Sequence, residues 1–290
     1  MVDKAIYSAC SNKFFPSVIN LIGSIKTNYP AHPQIFIYDL GLSWNFRREL
    51  RSIRNVELLP MPKFCAFWRA CYTWKTYIFQ HPQARLNFYM DAGCQVLRPL
   101  DEVFNFIEKD DYFCVEQYAP LSEIAPAEFK YLFPVREECL GQNTMTAGIF
   151  GFKKNSTISC IIDEVYEAGL AGMCLGYSKG EPWKNRGANK TSIVRGCRIF
   201  RFDTSVFNLI LRKNLGNFIM HSLEKYGGHL TPYDHPEQLI WNFRMNYSAL
   251  EYLPSKILHK NFSATAVFNR FWISAFLAVK NLRALAGKVF

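Results

Sequence analysis

The stretch Arg85 to Phe104, RLNFYMDAGCQVLRPLDEVF, decides the predicted fold of this chain. Its first part is an apolar run rich in aromatic and branched residues, which is typical of a buried strand. The run ends on a single carboxylate, Asp91, with Gly93 two residues later. A helix is predicted to begin near Pro99, because Asp101 and the glutamate after it then lie in the first turn, where the helix dipole favours acids. The unit is therefore a strand, a turn that carries an aspartate, and a helix.

The chain before this unit alternates strands and helices. Strands are predicted at 4–9, 34–38 and 56–59, with helices at 15–28 and 44–53. This β-α-β-α-β order predicts an α/β protein with a Rossmann-like, largely parallel central sheet flanked by helices. Ligands bind at the carboxyl ends of the strands in such sheets, so Asp91 is a candidate site residue. The alternative is that Asp91 only caps a turn.

The later part of the chain is more irregular. It is predicted to contain an aromatic helical segment between Pro60 and Pro82, a strand at 112–116, a polar connection at 117–142, a small-residue turn and strand at 143–152, and helices at 156–175 and 205–211. Lys75 could reach a phosphate from the aromatic segment, or it is simply solvated. Asp203 precedes the last of these helices, where an N-cap and a catalytic carboxylate are both open interpretations.

The net charge of +10 favours an acidic partner, either nucleic acid, anionic lipid or the phosphates of a small ligand. No basic tract of five or more residues and no nucleic-acid motif is present, so no nucleic-acid partner is predicted. The segment 177–201 holds seven lysines and arginines against one acid, Glu181. It is either a solvated loop or a binding segment for phosphate or acidic glycan.

Cysteine usage and the amino terminus favour a cytoplasmic protein. The nine cysteines are scattered without a Cys-X-X-Cys pair, which predicts reduced thiols rather than a disulfide framework. The amino terminus lacks the apolar segment of a signal peptide, so the four Asn-X-Ser/Thr matches are expected to be chance. Residues 263–290 form a predicted basic amphipathic helix that is too interrupted by charge to span a bilayer. It either docks on the protein or lies on an anionic membrane surface.

Four segments, taken in order, resemble those of the GT-A glycosyltransferases, most closely family 8 and its bacterial relatives. They are IYSACSNKFFPSVINLIGSIKTNYP, similar to the nucleotide-binding opening; the segment from Trp74-Lys75 to NFYMDAGCQVLRPLDEVF, similar to the basic residue and the Asp-X-Asp strand; NTMTAGIFGF, similar to the acceptor-side motif; and RFDTSVFNLILRKNLG, similar to the helix start near the sugar. Together they cover residues 5 to about 215, with a weaker match at ILHKN.

The resemblance implies a single GT-A domain at 1–262, followed by the helix at 263–290. The implied roles are donor binding by Ala9, Ser11, Lys13, Lys75, Asp91 and Gly93, acceptor contacts by Thr146, Ala147 and Gly148, catalysis by Asp203 and Arg201, and binding of a divalent manganese or magnesium ion by Asp91 and His259. Two departures from the family pattern occur. Gly93 replaces the second aspartate of Asp-X-Asp, and Thr204 replaces the glutamine after the helix-start aspartate. A rival match for that helix start exists at Glu237, Gln238 and Asn242.

The expected function is a cytoplasmic glycosyltransferase that moves a sugar from a nucleotide-diphosphate sugar to a glycan or lipid-linked glycan acceptor. The C-terminal helix, if it does not dock on the protein, is the candidate contact with the inner face of an anionic membrane. The alternative is a non-catalytic protein of the same fold that binds a sugar nucleotide or a glycan, which Gly93 motivates. A nucleotidyltransferase is less supported, because residues 5–20 lack a glycine-rich phosphate loop.

Overall fold

The computed structural model describes residues 2–176, 200–228 and 237–242. The strands are β1 (Val2–Cys10), β2 (Gln34–Asp39), β3 (Val56–Pro60), β4 (Ala84–Met90), β5 (Cys94–Val96), β6 (Tyr112–Pro120), β7 (Asn143–Lys153) and β8 (Ile240–Asn242). The helices are α1 (Phe15–Asn28), α2 (Trp44–Arg51), α3 (Trp74–Gln80), α4 (Asp101–Asp110), α5 (Leu121–Ile124), α6 (Ala127–Leu132), α7 (Glu137–Leu140), α8 (Thr157–Leu170), α9 (Asp203–Leu215) and α10 (Leu223–Gly227). Short 3-10 turns lie at Asn12–Phe14, Ala70–Tyr72 and Met173–Leu175.

Six strands form one sheet in the order β3-β2-β1-β4-β7-β6, and β5 pairs with β8 in a separate two-stranded sheet. β1 is parallel to β2, with Ala5 opposite Gln34, and β2 is parallel to β3, with Ile35 opposite Val56. β6 and β7 are antiparallel. The prediction of an α/β protein with a largely parallel central sheet is therefore confirmed.

The chain divides into two compact units. The first contains the described residues of 1–4, 61–89 and 103–223, and the second contains those of 5–60, 90–102 and 224–290. In the second unit, two polar side chains of α1 bind the backbone of β5: Ser24 Oγ accepts from Val96 N at 2.9 Å, and Asn28 Nδ2 donates to Val96 O at 2.8 Å. The apolar residues of α1 are buried, as the helical spacing of the sequence predicts.

The first unit has an aromatic core. The ring of Phe79 packs edge-on against those of Tyr89 and Phe150, and all three residues are buried. α8 packs against α3 and α9. At Gly169 on α8 the approach to α3 is close, because a Cβ added there would lie 2.7 Å from Thr76 Oγ1. The absence of a side chain at Gly169 therefore lets the two helices meet.

Several predicted elements have different limits. The aromatic segment is not one helix, because Cys71 and Tyr72 have positive φ, and α3 begins only at Trp74. The polar connection predicted at 117–142 contains regular elements: β6 continues to Pro120, and three short helices follow, two of them directly after Pro120 and Pro126. Both prolines occupy the N-cap, where the missing proline N–H costs no hydrogen bond within the helix.

Two further boundaries differ from the prediction. The small-residue turn expected near 143 is absent, since β7 is extended from Asn143 onward. α4 begins at Asp101 rather than near Pro99, and its first turn carries the two predicted acids. Among the residues described, none of the helices has the length and apolar content needed to cross a bilayer. The predicted helix at 263–290 lies outside the described residues.

Candidate active site

The first unit contains a buried ion pair between Lys75 and Asp203. Lys75 is the second residue of α3 and Asp203 the first of α9. Lys75 Nζ lies 3.4 Å from Asp203 Oδ2, and the two residues are 3% and 6% exposed. The interpretation of Lys75 as a solvated helix residue is therefore wrong. The interpretation of Asp203 as an N-cap is also wrong, because Phe202 occupies that position and the helix has no side-chain cap.

Aromatic rings and one carbonyl surround the Lys75 amine. Lys75 Nζ donates to Ala147 O on β7 at 3.3 Å. It lies 5.2 Å from the ring centroid of Tyr72, 5.7 Å from that of Trp74 and 5.4 Å from that of Tyr89. These distances are within the range of cation-π attraction, which is strongest where water is excluded. The amine is therefore held in place by contacts from α3, β4, β7 and the turn before α3.

The backbone is strained on both sides of this pair. Cys71 and Tyr72, just before α3, have φ of 50° and 61°, and Phe202, just before α9, has φ of 53°. Bulky residues rarely adopt positive φ, and such strain persists only where the surrounding contacts enforce it. The rings of Tyr72 and Phe202 lie 5.9 Å apart. The two strained segments therefore contact each other next to the ion pair.

The predicted acceptor-side residues lie on β7 beside this pair. Thr146 and Ala147 are buried, Ala147 O accepts the Lys75 hydrogen bond, and Gly148 N donates to Thr146 Oγ1 at 3.2 Å. Arg201 precedes α9, and its backbone N–H donates to Ser205 Oγ at 2.8 Å. The structure thus brings Lys75, Asp203 and the Thr146–Gly148 segment together in one unit.

The remaining predicted donor residues belong to the second unit. Ala9 is buried near the carboxyl end of β1, Ser11 is half-buried, and Lys13 is exposed with its amine 5.2 Å from the Phe14 ring centroid. Asp91 directly follows β4 and is half-buried; its carbonyl oxygen accepts from Cys94 N at 3.0 Å, which closes a tight turn around Gly93. His259 lies outside the described residues.

No protein-family model and no curated protein matches this chain. Solved structures do. The chain is similar to the bifunctional glycosyltransferase WbbM (11% identity, 93% of this chain and 52% of that one, TM-score 0.58), to the galactosyltransferase LgtC in complex with donor and acceptor sugar analogues (11%, 94% and 96%, 0.52), and to mouse xyloside xylosyltransferase 1 (11%, 84% and 99%, 0.50). The chain has the GT-A fold.

The predicted GT-A resemblance is thereby confirmed at the level of the fold. This chain spans about half the length of WbbM but nearly the whole of LgtC. At 11% identity the likeness concerns backbone architecture alone, so the roles of individual residues come from the chemistry of this chain.

The described residues of this GT-A protein do not by themselves form a metal site. Within the described ranges, no group of three or more His, Cys, Asp or Glu residues is arranged to hold a metal ion. Asp91 contributes one carboxylate, and Gly93 contributes no side-chain ligand. Magnesium takes about six ligands and calcium six to eight, nearly all of them oxygen. Asp91 alone therefore falls short of a complete ligand set for either ion.

The second match for the helix-start motif, at Glu237, Gln238 and Asn242, has a structural role in this GT-A protein. Gln238 is buried, and its Nε2 donates to Gly228 O at 3.1 Å and to Ile240 O at 3.0 Å. Asn242 N donates to Gly228 O at 3.0 Å, and Glu237 is exposed. These contacts hold the short strand β8 in position.

Two residues of α9 bind the backbone of β7 beside the site, and the sequence did not predict a role for either of them. Asn208 pairs with both backbone groups of Met145: its Oδ1 accepts from Met145 N at 2.7 Å and its Nδ2 donates to Met145 O at 2.9 Å. Arg212 Nη2 donates to Asn143 O at 2.8 Å. Both residues are buried and lie one turn apart on α9. Their four-residue spacing is visible in the sequence, but polar residues at that spacing are usually assigned to the solvated face.

Proposed function

We propose that this chain is a glycosyltransferase that moves a sugar from a nucleotide-diphosphate sugar to a glycan or lipid-linked glycan acceptor. The observation that carries the proposal is the buried pair of Lys75 and Asp203, 3.4 Å apart, on a GT-A fold. The similar solved structures are glycosyltransferases, and LgtC was captured with donor and acceptor sugar analogues.

The charges of the pair match those that develop during glycosyl transfer. The departing diphosphate gains negative charge, while the sugar becomes oxocarbenium-like and positive. In the proposed reaction, the Lys75 ammonium offsets the charge on the leaving group, and the Asp203 carboxylate stabilises the sugar or binds its hydroxyls. Both groups are buried, and charges interact more strongly where water is excluded. The carbonyl of Ala147 and the three rings fix the position of the amine before the substrate arrives.

The energetic cost of the pair also supports a functional role. Burying two charges carries a desolvation penalty that the ion pair often fails to repay, so apolar replacements of buried pairs are frequently neutral or stabilising. Positive φ at Tyr72 and Phe202 adds a further cost next to the pair. Strain and buried charge concentrated at one place are typical of functional sites.

The other predicted residues keep their proposed roles. Donor contacts are assigned to Ala9, Ser11, Lys13, Asp91 and Gly93, acceptor contacts to Thr146, Ala147 and Gly148, and a supporting catalytic role to Arg201. Asp91 and His259 are the proposed ligands if a manganese or magnesium ion is used; that ion would offset diphosphate charge. We also propose the domain boundary at 262/263, a cytoplasmic location, and membrane contact by residues 263–290. Deletion after Thr265 should then lower binding to anionic vesicles.

Gly93 favours a second candidate function, binding of a sugar nucleotide or glycan without catalysis. The family motif has a second carboxylate at this position, and its loss removes a strong metal ligand. Binding without turnover distinguishes this candidate from the first.

The decisive experiment incubates the purified chain with a panel of sugar nucleotides, with and without manganese. Binding is measured by calorimetry, and hydrolysis or transfer by mass spectrometry. We expect one donor to bind and to be consumed, and we expect Lys75→Met, Asp203→Asn and Asp91→Asn to abolish consumption. Lys213→Met is the matched control, because Lys213 pairs with Glu164 at the surface. Binding without consumption would support the second candidate. If the chain neither binds nor consumes any donor, the first candidate and the sugar-nucleotide form of the second are both excluded.

A further inference from the structure

One face of α2 carries exposed arginines and an exposed tryptophan. Trp44, Arg48 and Arg51 are spaced four and three residues apart, which places them on the same side of the helix. Trp44 is 65% exposed, and the Arg48 guanidinium lies 5.2 Å from its ring centroid. Arg54, just after the helix, is also exposed. We call these four residues the α2 face.

No exposed acid lies among these residues. The only acid between 43 and 54 is Glu49, which is fully buried, and Arg47 is engaged by Asp39. Within the described part of the chain, none of the three arginines of the α2 face makes an ion pair. Burial and the charge of Arg54 lower the pKa of Lys26, which is consistent with a further cation near the face. The α2 face is therefore a cationic surface whose charge is not neutralised locally.

We infer that the α2 face binds the surface of an anionic lipid bilayer. Arginines attract the phosphates and carboxylates of lipid headgroups, and tryptophan is enriched at the membrane interface, where its ring meets the apolar boundary and its N–H stays hydrated. This contact goes beyond the proposed sugar transfer and does not rest on it. It is also distinct from the proposed contact by residues 263–290.

The composition of the face favours a bilayer over the two other anionic partners. A stable protein interface needs roughly 800 Å² per partner with an apolar centre, whereas this face offers a single large apolar side chain. Single-stranded nucleic acid is usually bound by several rings along a basic groove, whereas here one ring stands on a convex helix beside its own arginine. A fluid bilayer surface demands no fixed arrangement of partner groups. The α2 face meets that simpler requirement.

The test measures partition of the full chain onto vesicles of phosphatidylcholine mixed with phosphatidylserine, by sedimentation. Each arginine near such a surface contributes roughly fivefold, so R48Q/R51Q should lower partition by roughly 25-fold. The control is R69Q/K109Q, which removes the same charge from two exposed residues elsewhere and should change partition less than about threefold. The readout is the ratio of the two double variants, so a contribution from residues 263–290 cancels. Vesicles of phosphatidylcholine alone should bind little of any variant.

A second measurement reports on Trp44 itself. The measurement uses a Trp272→Phe background, because Trp272 lies in residues 263–290, which are themselves proposed to contact the membrane. Lipids with brominated acyl chains quench the fluorescence of a tryptophan that enters the interface, and in this background the quenching should be lost on adding Trp44→Phe. The inference is overturned if both double variants lose partition equally, since total charge then explains binding. It is also overturned if R48Q/R51Q weakens binding to soluble RNA or polyglutamate but leaves partition onto vesicles unchanged. Equal quenching of Trp272→Phe with and without Trp44→Phe would overturn it as well.

Discussion

The rings of Tyr72 and Phe202, two non-glycine residues with positive φ, lie 5.9 Å apart beside the Lys75–Asp203 pair. Each residue precedes the helix that carries one member of the pair. The contact between the rings therefore couples two strained turns, and that strain is measurable by substitution.

At Phe202, glycine should be better tolerated than alanine. Both variants lose the ring, but only Phe202→Gly relieves the strain at φ 53°, which we expect to be worth about 1 kcal/mol or more. Urea unfolding measures the difference. Phe207, buried inside α9, is the control, because there glycine should be the worse substitution by about 1 kcal/mol. The same order at both positions would contradict strain at Phe202.

Removing one partner of the buried ion pair should destabilise the protein far more than removing both. Lys75→Met leaves a buried carboxylate without this cation and should lower the free energy of unfolding by about 3–5 kcal/mol. The double variant Lys75→Met/Asp203→Asn should recover most of that stability and yet fail to transfer sugar. Chemical denaturation and the sugar-nucleotide assay separate these effects.

The surface pair of Lys213 and Glu164 provides the comparison on the same helix. Lys213→Met should cost less than about 1 kcal/mol, since exposed ion pairs contribute little. An active double variant at Lys75 and Asp203 would remove the pair from the proposed chemistry.

Gly169→Ala should weaken both the fold and the site. The added Cβ would lie 2.7 Å from Thr76 Oγ1, so α8 and α3 must move apart, at a cost of about 1–3 kcal/mol. Lys75 adjoins Thr76, so activity should also fall. Gly141→Ala is the control, because a Cβ added at Gly141 would meet no atom within 4 Å. Combination with Thr76→Ala should restore part of the loss; full additivity of the two changes would argue against this contact.

Stability should depend on pH through Asp39. Burial alone would raise the pKa of this carboxyl, but hydrogen bonds from the Arg47 guanidinium and from the N–H groups of Leu42 and Gly41 outweigh it and hold the pKa below the ordinary value. A depressed folded-state pKa stabilises the protein above the unfolded pKa of about 4, and this contribution is lost as the pH falls through the folded value.

Asp39→Asn should therefore destabilise the protein at pH 7, and its difference from the native chain should shrink below about pH 4. Urea unfolding at a series of pH values measures this difference. Arg47→Gln removes one hydrogen bond to the Asp39 carboxylate. In this variant the stabilisation by Asp39 should be lost at a higher pH than in the native chain. A difference between Asp39→Asn and the native chain that stays constant from pH 7 downward would contradict the role of the carboxylate.

Much of the fold follows from local pattern. The predicted helix at 15–28 matches α1 at both ends, and the first three strands differ from prediction by no more than two residues at either end. Their apolar periodicity and the prolines and glycines between them are short-range signals. The β-α alternation then leaves few topologies for the sheet.

The site follows from the sequence only in part. Lys75 and Asp203 both stand out in the motif order, but their contact is long-range, and no periodicity shows that the Lys75 amine is buried among rings. Local propensity even misleads at Tyr72, where tertiary packing replaces the expected helix with positive φ. The role of Asn208 is also not predicted, because its hydrogen-bond partner is the backbone of a strand that is distant in the sequence.

Asn208 has one more consequence. Its amide matches the donor and acceptor of Met145 as an adjoining strand would, so a helix side chain completes the hydrogen bonding of β7 from within the same unit. A backbone N–H or C=O buried without a partner is costly, and β7 lies inside the sheet between β4 and β6. A single amide at Asn208 therefore keeps two backbone groups of β7 from being buried without partners.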